Sequence, residues 1–197
     1  MAVTHQQADG DATNSGPVGR ANPMYTRGAP ASHRILVPSS AAGASKKFFD
    51  VWNATGRSIT LRALRAIPDA SAAVTGALAV ALFLQRTSAV GTGGTAMDVD
   101  LATLNAMTIT KRDPGETVVI TGLGGRLAPS GGATAAATLA ARQFFPEETN
   151  GPKPAVDFLG VGEDIVIPTG TGIMVIQGAE ASVGSVAFEL LISAYAS

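Results

Sequence analysis

Nucleophilic catalysis requires a serine, threonine or cysteine held beside a base. The chain has no cysteine, which excludes thiol catalysis, disulfides and iron–sulfur clusters, and it has only two histidines. His5 lies in a polar leader, and His33 stands at the entrance to the first strand-like run. Neither is beside a serine in a recognisable motif, so we interpret His33 as an ordinary strand-edge residue. The sequence predicts no catalytic residue.

Carboxylates offer the next chemistry, because paired acids bind cations or share acid–base work. Asp98 and Asp100 would share one face if residues 97–101 are extended. Single Asp-x-Asp pairs are common on solvated loops, and Glu147-Glu148 and Glu163-Asp164 are typical of hydrophilic loop ends. With so few histidines, we predict no metal site.

Glycine-rich loops that cradle phosphates were the third possibility. Gly91-Thr-Gly-Gly-Thr95 follows a strand-like run but lacks a following Lys-Ser/Thr and opens no clear helix. The run from Gly122 to Gly125 has the same defect, so both are predicted to be inter-strand loops. Asn53-Ala-Thr55 matches a glycosylation sequon, but we recognise no secretory leader that would expose it to that machinery. We expect no cofactor and no small-molecule substrate.

Aromatic residues would serve a sugar or a nucleic-acid base only if they were exposed. Phe48, Phe49 and Trp52 lie in a strand-like run, which favours core packing. Basic and acidic residues nearly balance, at 14 and 15, with a net charge of −1. That balance provides no basic field for nucleic acid or for an anionic membrane. We expect neither partner, and no enzyme activity.

The composition points to a covered surface. Only 15% of residues are charged and the mean hydropathy is +0.25, which is unusual for a free soluble monomer. Such a chain covers itself with copies or a partner, the alternative being a monomer with an alanine-rich surface. The longest apolar run, Val74–Leu84, is shorter than the roughly 20 residues of a spanning helix. We expect a protein made in the cytoplasm, neither exported nor anchored.

Period-two alternation predicts strands as the elements. It is clearest in Val74–Leu84 and Gly184–Tyr195, and the shorter candidates are Ile35–Val37, Phe48–Asn53, Ser58–Ala66, Met107–Thr110, Thr117–Thr121, Asp164–Ile167 and Ile173–Gln177. Ser58–Ala66 has a phase slip between Leu61 and Leu64, which suggests a bulge, with a short helix as the rival. In Thr134–Gln143 helix propensity competes with the β context, and strand is slightly favoured. Residues 146–156 are predicted to form a surface loop.

Turn sequences such as Asn53-Ala-Thr-Gly56, Asp113-Pro-Gly115 and Pro168-Thr-Gly-Thr-Gly172 separate these runs. Eight or nine short strands with turns between them indicate an all-β sandwich or barrel, which we assign to residues 32–197 as one domain.

Residues 1–31 form a separate polar leader. They cannot bury enough apolar area to offset chain entropy, and extended they would reach about 100 Å. We interpret them as an arm lying across a neighbouring subunit, the alternative being an arm folded back on its own domain. The partner-binding residues we predict in it are Asn22, Pro23, Met24, Tyr25 and Arg27.

Two stretches carry a family resemblance. Glu163-Asp-Ile-Val-Ile-Pro-Thr-Gly-Thr-Gly-Ile-Met-Val-Ile-Gln177, followed by Gly184-Ser-Val-Ala-Phe-Glu189, resembles the closing strands of jelly-roll virion proteins of tailed bacteriophages. Phe49–Gly56 with Ile59–Leu64 resembles their early strand pair. The resemblance implies a jelly-roll-like β-sandwich, often trimeric, bound at capsid junctions or on tail machinery, with no catalytic residues to transfer.

The resulting hypothesis is a structural virion protein that decorates or cements a bacteriophage capsid by bridging coat subunits. Its expected partners are the major capsid protein and copies of itself, as a homotrimer. The alternatives are a tail, adaptor or fibre-base component, a carbohydrate-binding jelly-roll module, and an enzyme on a β-sandwich. Copy number per particle separates the first alternative, and exposed aromatics would indicate the second.

Overall fold

A computed structural model of the protein describes residues 31–69, 80–98, 106–112, 120–144, 156–159, 163–180 and 184–194. Every helix or strand assigned within these ranges is a β-strand. The twelve strands are β1 His33–Ala41, β2 Lys47–Asn53, β3 Ile59–Asp69, β4 Val80–Thr87, β5 Thr95–Ala96, β6 Thr108–Lys111, β7 Leu123–Leu127, β8 Ala135–Phe144, β9 Val156–Asp157, β10 Ile165–Ile167, β11 Thr171–Gln177 and β12 Ser185–Ala194.

The strands form two antiparallel sheets. The first sheet has the order β10-β3-β12-β1-β6, with β9 also paired to β3, and the second has the order β5-β7-β2-β11-β4-β8. Eight strands alternate between the sheets as β1-β12-β3-β10 and β2-β11-β4-β8, which is the strand order of a jelly roll. The predicted all-β, jelly-roll-like sandwich is therefore confirmed. Of the remaining four strands, β5, β6 and β7 belong to a long insertion between β4 and β8, and β9 lies between β8 and β10.

The core lies between the sheets. In β12 the buried residues Val186, Phe188, Leu190 and Ile192 alternate with half-buried ones, as period two requires. The ring of Phe188 lies 5.2 Å from that of Phe48 and 5.2 Å from that of Phe49, measured between centroids. Both β2 phenylalanines are completely buried, which confirms that they are core residues.

The bulge predicted in the third strand is present. Ala63 of β3 pairs with Leu191 of β12, whereas Leu61 pairs with Ile192, so Arg62 is the extra residue on β3. The slip lets Leu61 and Leu64 both point into the core despite their three-residue spacing. A helix here is excluded.

Two sequence interpretations were settled at the β4–β8 insertion. Thr134–Gln143 is strand, since β8 spans Ala135–Phe144. The loop predicted at Gly122–Gly125 is wrong, because Gly124 and Gly125 lie inside β7. A Cβ on Gly125 would stand 2.7 Å from the carbonyl oxygen of Asp50, so the close pairing of β7 with β2 needs glycine there.

Other predictions are met only in part or lie outside the described residues. Of the predicted strand Thr117–Thr121 the structure describes only Ile120 and Thr121, and neither is in a strand. Outside the described residues lie His5, the arm with Asn22, Pro23, Met24, Tyr25 and Arg27, residues 74–79, Asp100, residues 113–115, residues 146–155 and Tyr195.

Candidate functional site

His33 is the first residue of β1, which pairs with β12 on one side and β6 on the other. Its side chain is therefore enclosed, 3% exposed, with Nδ1 2.9 Å from the hydroxyl oxygen of Ser32. The expected position at the end of a strand is confirmed, and the side chain is buried there.

The acidic residues singled out in the sequence make different contacts in the structure. Asp98 is half-buried and forms a backbone bridge to Thr108, with its amide donating to Met107 O at 2.7 Å. Asp164 forms an ion pair with Arg62, and Glu163 lies 3.7 Å from Arg142. Arg142, Glu163 and Asp164 line a depression of about 360 Å³ between β8 and β10. No group of three potential metal ligands occurs in the part of the chain that the structure describes.

The described aromatic side chains offer no binding platform. Phe48, Phe49, Phe158 and Phe188 are completely or almost completely buried, while Phe83 and Trp52 are half-buried. Trp52 pairs across the sheet with two glycines, Gly124 and Gly172. A sugar-binding surface would need at least one exposed ring, so the described surface does not favour that role.

Two connections cross the outer face of the second sheet, and we call them the strap. Residues 88–94 run from β4 to β5, and residues 128–134 run back from β7 to β8, although β11 and β2 lie between the strands they join. The strap is held together by backbone hydrogen bonds. Ser88 N donates to Thr134 O at 3.0 Å, and Thr92 N donates to Gly131 O at 2.9 Å.

Asp50 anchors the strap from below. It alternates with the core residues Phe49 and Val51 and so lies on the outer face, yet it is only 1% exposed. Its Oδ2 accepts a hydrogen bond from Gly91 N at 2.9 Å, and its buried Oδ1 has no partner. A Cβ on Gly91 would stand 2.7 Å from the carboxylate, so only glycine fits this crossing.

Burial raises the pKa of Asp50 above its ordinary value of 3.8. The Gly91 amide and the charge of Arg126, its cross-strand neighbour, oppose that rise. The net direction is upward because the carboxylate has lost water and gained few donors. Asp50 is therefore a structural anchor with an unfavourable charge, closed off from any substrate by the strap.

The surface around the strap carries no charge. Residues 87–97 and 127–141 contain no Asp, Glu, Lys, Arg or His, in a chain where 15% of residues are charged. We call their exposed part the uncharged surface. Two cations border it and hydrogen-bond to the backbone of the strap: Lys47 Nζ donates to Ala133 O at 3.0 Å, and Arg126 Nη1 donates to Gly93 O at 3.1 Å.

The uncharged surface continues onto the start of β8. Thr134 to Thr138 are five consecutive exposed residues, so both faces of this stretch meet solvent. β8 ends its sheet and pairs only with β4 among the described strands. The first part of this edge strand, residues 135–141, has no lysine, proline or charge, and natural proteins normally avoid such an exposed edge unless it is covered. Sequence reasoning had tested these loops only for phosphate binding and missed their shared lack of charge.

Comparison with known proteins found no matching family model, curated protein or solved structure. Among the described residues there is no helix with the length and apolarity needed to cross a membrane.

Proposed function

We propose that the protein is a non-enzymatic structural component of a bacteriophage virion that decorates or cements the capsid by bridging coat subunits. The observation that carries the proposal is the exposed, uncharged surface, on a sandwich whose described residues hold no group of three potential metal ligands and pair Arg62 with Asp164 and Arg65 with Asp157. Such a surface suits contact with protein, because water leaves it without stranding charges.

The energetics of a repeated lattice support this role. Apolar contact is worth roughly 25 cal/mol per Å² buried, so even a modest contact becomes substantial when every capsid junction repeats it. A two-sheet body with a fully packed core is a rigid spacer between neighbours. The resemblance of Glu163–Gln177 with Gly184–Glu189, and of Phe49–Gly56 with Ile59–Leu64, to phage jelly-roll proteins supports a bacteriophage particle as the site.

Residues 1–31 are the second proposed contact. Their composition buries too little apolar area for independent folding, so ordering them is favourable only against a partner. We assign partner contact to Asn22, Pro23, Met24, Tyr25 and Arg27. An arm of this kind spans more coat surface than its mass suggests.

The test is the composition of purified particles. The sample is purified virions of the phage whose genome encodes this chain. Quantitative mass spectrometry is expected to find the chain there at a copy number comparable to that of the major capsid protein. A tail or fibre-base component would be present in far fewer copies. Absence from particles, or unchanged stability of particles that lack the chain, would contradict the proposal.

A further inference from the structure

We propose that the uncharged surface is the self-association surface of this protein, so that its partner there is a second copy of this chain. The inference rests on the proposed function and names one of its partners. The strap and the first half of β8 form this contact, and residues 1–31 and other faces stay available for coat subunits.

Strand β8 is the first reason. It has ten residues, whereas the other strands at the ends of the two sheets, β5, β6 and β10, have two, four and three. Bulges at Ala136 and Leu139 interrupt its pairing with β4, which limits any regular extension of the sheet by a further strand. The edge is therefore suited to a short, closed contact rather than to open-ended strand addition.

Charge is the second reason. Identical copies present identical charges to each other, so a self-contact avoids repulsion when its surface has none. Other described faces of the domain carry ion pairs such as Arg34–Glu189 and Arg65–Asp157. Residues 87–97 and 127–141 contain neither a cation for nucleic-acid phosphate nor an aromatic ring for sugar, so an uncharged protein surface of the same kind is the best match.

Size is the third reason. Nine residues in 87–97 and thirteen in 127–141 are exposed or half-buried, and a specific interface involves roughly 20–30 residues on each side. Most are Ala, Gly, Ser or Thr, whose small side chains let backbones approach closely. Two copies related by a two-fold axis would place this surface against itself, so that the same small residues meet from both sides.

The experiment measures the mass of the full-length chain in solution by sedimentation over a wide dilution series. We expect a multiple of 19.8 kDa. Ala136→Lys is expected to raise the dissociation constant about a hundredfold, because equal charges then face each other. Ser39→Lys is the matched control, since Ser39 is exposed in β1 of the other sheet and should leave the mass unchanged.

A second variant protects the test against misfolding. Thr92→Lys places a charge on the strap, at an exposed side chain, and should dissociate the assembly in the same way while circular dichroism remains native. A monomeric wild-type chain would overturn the inference, and so would variants that keep the native mass. If these variants assemble normally but fail to bind purified shells, the surface contacts coat protein. A monomer that still binds shells leaves the proposed function intact and removes only the self-association.

Discussion

At the scale of single residues, Asp50 and Gly91 decide how the strap lies. A carboxylate on the outer face of a sheet normally meets water, but Asp50 instead meets the backbone of a crossing loop. The hydrogen bond fixes the height of that loop, and the missing side chain of Gly91 makes the approach possible. The hydrogen bond from Gly91 to the buried carboxylate of Asp50 thus fixes the position of the uncharged surface, which covers that carboxylate.

The raised pKa of Asp50 predicts a pH dependence of stability. Because the folded carboxyl holds its proton more tightly than the unfolded one, the free energy of unfolding falls as pH rises from 3.8 through the folded pKa, and stays lower above it. Asp50→Asn lacks this titration, so its advantage over wild type should grow across that range in urea denaturation. Glu180→Gln, at an exposed position, is the control. Parallel pH profiles for wild type and Asp50→Asn would rule the effect out.

Gly94 gives a second residue-scale prediction. Its φ is +62°, and a Cβ there would lie 2.1 Å from the carbonyl oxygen of Leu127. Gly94→Ala should therefore cost about 2 kcal/mol or more of unfolding free energy, measured by chemical denaturation. Gly43→Ala is the matched control, because no atom lies within 4 Å of its added Cβ and its backbone is not left-handed. Equal costs at both positions would show that the strap tolerates displacement.

At the scale of elements, the period-two alternation of apolar residues predicted the strands that bury one face. It failed for strands that form only because a neighbouring strand pairs with them. β12 and the bulge in β3 could be predicted because their apolar spacing is local. β7 could not, since Leu123–Leu127 includes two glycines and is a strand only because β2 pairs with it. β8 was ambiguous because alanine favours helix in isolation, and only its pairing with β4 selects the strand.

Arg62, the bulge residue of β3, links three elements. It forms an ion pair with Asp164 before β10, and its Nε donates to Ser193 Oγ of β12 at 3.1 Å. Its side chain is 11% exposed. Arg62→Met should therefore cost about 2 kcal/mol of unfolding free energy, because the half-buried Asp164 loses its main cation.

The control for Arg62→Met is Arg65→Met on the same strand. Arg65 pairs with Asp157 at 2.8 Å, but both side chains are more than half exposed, so the loss should stay below about 1 kcal/mol. Denaturation curves of the two variants, and of Arg62→Met combined with Asp164→Asn, separate pairing from side-chain loss. The double variant is expected to recover part of the stability, and no recovery would show that the ion pair is not the cause.

At the scale of the whole molecule, eight strands form the jelly roll, and the insertion between β4 and β8 adds the strap. The sandwich was predictable from alternation and turns, because those signals are local. The strap was not, since its two connections are far apart in sequence and meet only after the second sheet forms. Its lack of charge is visible in residues 87–97 and 127–141 individually, but it becomes a surface only when the fold joins them.

The leader provides the prediction that tests the two-part organisation. All described strands lie between His33 and Ala194, and Ser32 already donates its amide to Ile192 O at 2.9 Å. Deleting residues 1–30 should therefore leave the unfolding free energy of the domain within about 0.5 kcal/mol of the full chain.

The same deletion should lower the occupancy of the protein on purified shells, because the proposed arm contributes to binding but not to the core. A scrambled leader of identical composition is the control for length and charge. Unchanged occupancy with residues 1–30 deleted would mean that the arm does not bind the coat protein. Occupancy restored by the scrambled leader would mean that the order of its residues confers no specificity, including Asn22, Pro23, Met24, Tyr25 and Arg27.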